Sequence, residues 1–121
     1  GVVKGGSVSE MSQETIDAYN SPFPDDSYKE AARQFPLLVP DSVDNPSYEH
    51  NVKAWEVLKQ WDKPFLCAFS DKDHIFKGVE NSFIKYVPGA KNLKHIEIKD
   101  AGHFLQEDKP DECVNAILAL F

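Results

Sequence analysis

The sequence predicts an α/β fold, a parallel sheet covered by helices, of which this chain carries only a part. Three observations lead there. From Tyr48 onward the elements read helix, strand, helix, strand, helix. Residues 64–70, Pro-Phe-Leu-Cys-Ala-Phe-Ser, form a continuous apolar run of strand length, which suits a strand buried on both faces of a parallel sheet. Only two segments read as strands, and a sheet of two strands is marginal by itself. The expectation is therefore a C-terminal piece of a larger α/β fold, preceded by further chain that completes the sheet.

Taken in order, residues 1–7 are glycine-rich and expected to be loose. Ser12 is placed as an N-cap, its hydroxyl free to accept an orphan N–H of the next turn. Met11 and Ile16 form a hydrophobic staple across that cap, with Glu14 in the first turn. A helix over 13–19 follows. Pro22 and Pro24 exclude helix from residues 20–26. A second short helix over 27–34 is expected to stop at Pro36. The polar linker 40–46 is the best internal boundary. It divides a helical part, 1–46, from an α/β part, 47–121.

Beyond the linker a helix is expected over 48–61, a buried strand over 64–70 and a polar loop over 71–74. A helix over 78–86 ends near Pro88 and Gly89. Residues 94–99 alternate and read as a second strand, nearer a sheet edge. A loop over 101–107 leads to a last helix opened by Pro110, whose missing N–H is harmless in a first turn. Val114, Ile117, Leu118 and Phe121 recur there at helical spacing.

Composition removes some functions. Thirteen Lys plus Arg against twenty Asp plus Glu leave a net charge of -7, which argues against a nucleic-acid binder that must neutralise phosphates. No apolar run reaches the roughly 18–20 residues of a membrane span. Cys67 and Cys113 form no CxxC pair; reduced thiols and a cytoplasmic setting are expected.

The chemistry-bearing residues cluster after the two strands. The first loop holds Asp71, Asp73 and His74, the second Asp100, His103, Gln106 and Glu107. In a strand-helix-strand crossover both strands run parallel, so both loops lie on one rim, where open α/β sheets bind ligands. The thirty positions from Asp73 to His103 accommodate one such crossover. A carboxylate and an imidazole are thus expected within hydrogen-bond reach, the acid fixing the tautomer and His103 acting as general base. Asp71, Asp73, His74 and His103 match no recognised metal-ligand spacing, so no metal is expected.

These residues carry a resemblance. Ser70-Asp71-Lys72-Asp73-His74-Ile75 resembles the acid loop of α/β-hydrolases, and Asp100-Ala101-Gly102-His103-Phe104-Leu105-Gln106-Glu107 resembles their histidine loop. Ala18-Tyr19-Asn20-Ser21-Pro22-Phe23-Pro24-Asp25, with Ser27-Tyr28-Lys29 and Arg33-Gln34-Phe35-Pro36, is similar to the end of the helical cap of haloalkane dehalogenases. The similarity runs from about Ser7 to Phe121. It implies a cap remnant over 1–46 and, over 47–121, the last two parallel strands of an α/β-hydrolase main domain with their helices. It further implies that His103 activates water to hydrolyse a covalent alkyl-enzyme ester, with Asp73 as its acid partner. Phe35, Pro36 and Val39 match cap positions that line the substrate cavity, and Ile75, Phe76 and Phe104 match apolar positions by the catalytic loops. The implied partners are a small halogenated alkane, the halide and the missing N-terminal part of the same fold; no cofactor is implied.

The family's nucleophile, an Asp on a strand-to-helix elbow, has no counterpart here, nor has any G-x-S-x-G elbow. Both halide-binding Trp residues are expected upstream, and Trp55 and Trp61 are read as packing residues. The chain alone is accordingly expected to be inactive. An epoxide hydrolase is the nearest rival, with Tyr19 and Tyr28 as conceivable proton donors. A non-catalytic interaction module, pairing through the open sheet edge, is a rival of another class.

Overall fold

A computed structural model describes residues Gly1–Phe121. The residues group into two compact units, one of residues 1–10 with 59–121 and the other of residues 11–58. The linker 40–46 lies within the second of these.

The larger unit is built on two strands, β1 (Ala68–Ser70) and β2 (Ile96–Ile98). They pair in parallel, with Ala68 opposite Ile96, Phe69 opposite Glu97 and Ser70 opposite Ile98. Adjacent N–H groups extend the ladder, Ile96 N–H donating to Cys67 O at 2.9 Å and Asp71 N–H to Ile98 O at 3.1 Å. The crossover that parallel pairing requires contains α5 (Glu80–Tyr86) and a 3-10 turn, Pro88–Ala90.

Both strands are shorter than the sequence pattern predicts, because their flanks find other partners. Phe65 N–H donates to Gly89 O at 3.0 Å and Gly89 N–H to Trp61 O at 2.8 Å, so residues 61–65 pair with the 3-10 turn. Only glycine allows this approach: a Cβ on Gly89 would lie 1.8 Å from Lys63 O. At the start of the ladder Cys67 N–H donates to the imidazole Nδ1 of His95 at 3.1 Å, a side chain standing in for a strand carbonyl.

The apolar core is small: Cys67, Val87, Ala90, Ile98, Ala101 and Ala116. The last helix, α7 (Pro110–Leu118), starts at Pro110 as expected. Its apolar stripe does not face this core, however. Val114, Ile117, Leu118 and Phe121 are exposed, and Ala116 is the buried residue of the helix. Two strands offer too little surface for the whole stripe, and a groove of ≈ 440 Å³ lined by Leu66, Ala68, Ile98, Cys113, Ile117 and Phe121 lies beside it.

Two further helices form where loops are expected. Residues 1–7 contain α1 (Val2–Gly6), and α6 (Leu105–Asp108) interrupts the loop before Pro110. Both are single turns held by distant partners rather than by propensity, which for so short a helix is insufficient.

In the second unit α2 (Gln13–Asn20) has the expected cap, Ser12 Oγ accepting from Thr15 N–H at 3.1 Å. Asp25 caps a 3-10 turn, Asp26–Lys29, by accepting from Ser27 N–H at 2.8 Å. The turn leads into α3 (Glu30–Leu37), which runs through Pro36 instead of stopping before it. At the last turn the proline removes only its own donor. Asn45 Nδ2 then donates to Leu37 O, at the helix end, and to Val39 O just beyond it, at 3.2 and 2.8 Å. The last element, α4 (Tyr48–Leu58), ends three residues before Trp61.

Candidate active site

The parallel ladder brings both loops to one rim, and backbone and side-chain hydrogen bonds join them. Asp71 N–H donates to Ile98 O at 3.1 Å and Lys72 N–H to Ala101 O at 3.0 Å. Ser70 Oγ–H donates to Gly102 O at 2.7 Å, and Ala101 N–H to Asp71 Oδ1 at 3.4 Å. Asp100, at φ 56°, turns the chain out of β2 toward the histidine, a left-handed conformation that Asp tolerates. Lys72 and Asp100 pair across the loops at 2.5 Å, at the exposed edge.

This framework places His103 Nδ1 3.0 Å from Asp73 Oδ2. Asp73 is only 6% exposed and is the one buried charged residue of the chain. Its other oxygen, Oδ1, accepts from Ile75 N–H at 2.8 Å and Phe76 N–H at 3.2 Å. Burial pushes the carboxyl pKa upward, but the bonds from His103, Ile75 and Phe76 outweigh it and hold Asp73 below its ordinary value. The carboxylate therefore stays ionised and can only accept, which favours a proton on Nδ1 of His103 and, in the neutral ring, leaves the lone pair on Nε2.

Two aromatic rings flank the imidazole. The Phe76 and Phe104 rings each lie 5.1 Å from the His103 ring, tilted and edge-on respectively. A cavity of ≈ 510 Å³ opens here, lined by Gly6, Ser7, Val8, Ile75, Asp73 and His103, among others. His103 thus combines a free lone pair, an anionic partner and a recess, the elements of a general base acting on a water or a hydroxyl.

Of the sequence-predicted residues, His103, Asp73, Ile75, Phe76 and Phe104 come together at this rim. Phe35, Pro36 and Val39 lie in and just after α3 of the other unit, with exposed side chains. His74 is exposed at the mouth of the cavity. Two contributors escape the sequence reading. The N-terminal segment forms part of the cavity wall, and Asp108 binds that segment to the histidine loop. The glycines at positions 6 and 102 were the available signal, since glycine marks close backbone approach. Nothing local marks Asp108, whose partners Val8 and Ser9 lie about a hundred residues upstream.

No protein-family model matches the chain. Curated proteins do. The chain is 48% identical over 118 residues to a haloalkane dehalogenase of Psychrobacter cryohalolentis. It is 42% identical to haloalkane dehalogenase 1 of Mycobacterium tuberculosis and 39% identical to a haloalkane dehalogenase of Mycobacterium marinum, again over 118 residues. Each match covers 98% of this chain, whereas the chain spans about 39% of the length of these relatives. With such identity along nearly its whole described length, the chain corresponds to a portion of the α/β-hydrolase fold of the haloalkane dehalogenase family.

Proposed function

We propose that the chain is the acid- and base-bearing portion of an enzyme that hydrolyses carbon-halogen bonds in small haloalkanes. An aspartate upstream displaces the halide: its carboxylate oxygen bonds to carbon as the carbon-halogen bond breaks and the halide departs. His103 Nε2 then takes a proton from water while the water oxygen attacks the ester carbonyl. The acyl-oxygen bond breaks, the leaving oxygen is protonated as the alcohol departs, the carboxylate is restored, and the net proton left on His103 passes to solvent. Asp73 stabilises the imidazolium formed on the way. Ile75 and Phe76, exposed in this chain, would with Phe104 keep bulk water from the reacting centre once the upstream portion covers them. In this account Phe35, Pro36 and Val39 contribute the cap side of the substrate cavity, the upstream portion of the fold is an obligatory partner, and the 121-residue chain alone is inactive. A cytoplasmic setting suits Cys67 and Cys113, both free thiols.

The observation that carries the proposal is the 48% identity to a haloalkane dehalogenase over 98% of the chain. The test is a chimaera in which this chain replaces the matching segment of the Psychrobacter relative. Steady release of bromide from 1,2-dibromoethane, with no hydrolysis of styrene oxide, is expected. Hydrolysis of styrene oxide without bromide release would overturn the assignment in favour of an epoxide hydrolase.

A further inference from the structure

Asp108 ends α6 five residues after His103. Its carboxylate accepts three backbone N–H groups. Val8 N–H lies 3.0 Å from both oxygens, Ser9 N–H 2.7 Å from Oδ1, and Gly102 N–H 2.8 Å from Oδ2. One carboxylate thereby joins the residue that precedes His103 to a segment about a hundred positions upstream.

That segment holds His103 in return. Gly6 O accepts His103 N–H at 2.8 Å and Phe104 N–H at 3.4 Å. The approach depends on two glycines. A Cβ on Gly102 would lie 2.4 Å from Gly6 O, and a Cβ on Gly6 would lie 2.7 Å from the Phe104 ring. Burial pushes the Asp108 pKa up, yet the N–H groups of Val8, Gly102 and Ser9, with the Ser9 side chain, outweigh burial and hold it at about 2. The anchor is thus fully charged wherever a histidine can act as a base.

Building on the hydrolase function proposed above, we propose that Asp108 is a positioning residue for His103. By fixing the backbone of Gly102 and the segment at Val8 and Ser9, it clamps the His103 main chain from both sides. The imidazole then meets Asp73 at hydrogen-bond distance. Asp108 touches neither substrate nor the ring, so its effect passes entirely through the backbone.

The test labels histidine with ¹⁵N in the chimaera, where the rest of the fold is present. It reads the low-field proton on His103 Nδ1 and the two ring-nitrogen shifts, which report the tautomer. In the unsubstituted chimaera a low-field proton and an Nδ1–H tautomer are expected. Asp108→Ala should abolish the low-field signal and give mixed tautomers. Asp108→Asn, which keeps one acceptor oxygen, should weaken the signal without abolishing it. In the chimaera, Asp108→Ala should lower kcat on 1,2-dibromoethane on the order of 10–100-fold, as displacement of a catalytic group by about 1 Å does, with KM within about 2-fold.

An unchanged low-field signal and kcat in a folded Asp108→Ala protein would overturn the proposal while leaving the hydrolase function standing. Absence of an Nδ1–H tautomer in the unsubstituted chimaera would instead sink the His103–Asp73 pair itself. If the alanine variant loses its dispersed amide spectrum, the asparagine variant decides: a weakened signal supports the clamp, and an unaltered one refutes it.

Discussion

Asp73 uses its two oxygens for different tasks. Oδ1 closes a turn by accepting from Ile75 and Phe76, while Oδ2 faces His103. Asp73→Asn keeps the shape but puts a donor into this arrangement. An Asn amide that donates to Nδ1 forces the proton onto Nε2, and the base is lost. A fall in kcat of about 10³–10⁴-fold is expected, as for the corresponding change in other acid-histidine pairs, measured as steady bromide release by the chimaera. A fall below about 10-fold would mean that the pair does not set the tautomer. The folded-state pKa of Asp73 lies below its ordinary value, so its stabilising contribution is present above the usual carboxylate range and is lost as pH falls through the folded value. Asp108 follows the same sign. Its pKa falls from 3.8 to about 2, so the clamp persists through pH 4 and is released only in stronger acid. Asp73 and His103 were legible from sequence, because each directly follows an apolar or alternating strand. Asp108 was not, because its meaning depends on Val8 and Ser9, which only the folded chain brings near.

Legibility at the element scale followed locality. The Ser12 cap and the start at Pro110 rest on contacts a few residues away, and both were readable. Parallel pairing was readable too, since two strands joined through a helix leave little alternative. Elements governed by distant partners were not. The α1 and α6 turns exist because Gly6 O and the Asp108 carboxylate have partners across the unit. The strand at 64–70 shortens to Ala68–Ser70 because its first residues bond to the Gly89 turn. That turn gives a test. A methyl at position 89 would sit 1.8 Å from the Lys63 carbonyl oxygen, and backbone cannot yield as a side-chain tip can. Gly89→Ala should therefore cost about 1–3 kcal/mol, as overpacking typically does, read from the urea midpoint of the chimaera by circular dichroism. An unchanged midpoint would show that residues 61–65 do not depend on this contact.

Across the whole molecule, apolar surface exceeds what the chain can bury. Six hydrophobic residues form the core, while Leu118, Ile117 and Phe121 of the last stripe stand exposed. The periodicity of that stripe was visible in the sequence, but its partner could not be. The sheet holds two strands, and isolated units of that size are marginal. The curated relatives are longer, the chain matching about 39% of each, and the proposed activity needs a nucleophile that no residue here supplies. The proposed activity therefore divides its labour between an upstream aspartate and His103. That division is tested most directly by treating the His103→Gln chimaera with 1,2-dibromoethane, then measuring intact protein mass and bromide together. A single equivalent of bromide and a protein heavier by one bromoethyl group are expected, because the ester forms and nothing activates water to cleave it. Continued turnover without an adduct would contradict the division, and so would the absence of both bromide and adduct.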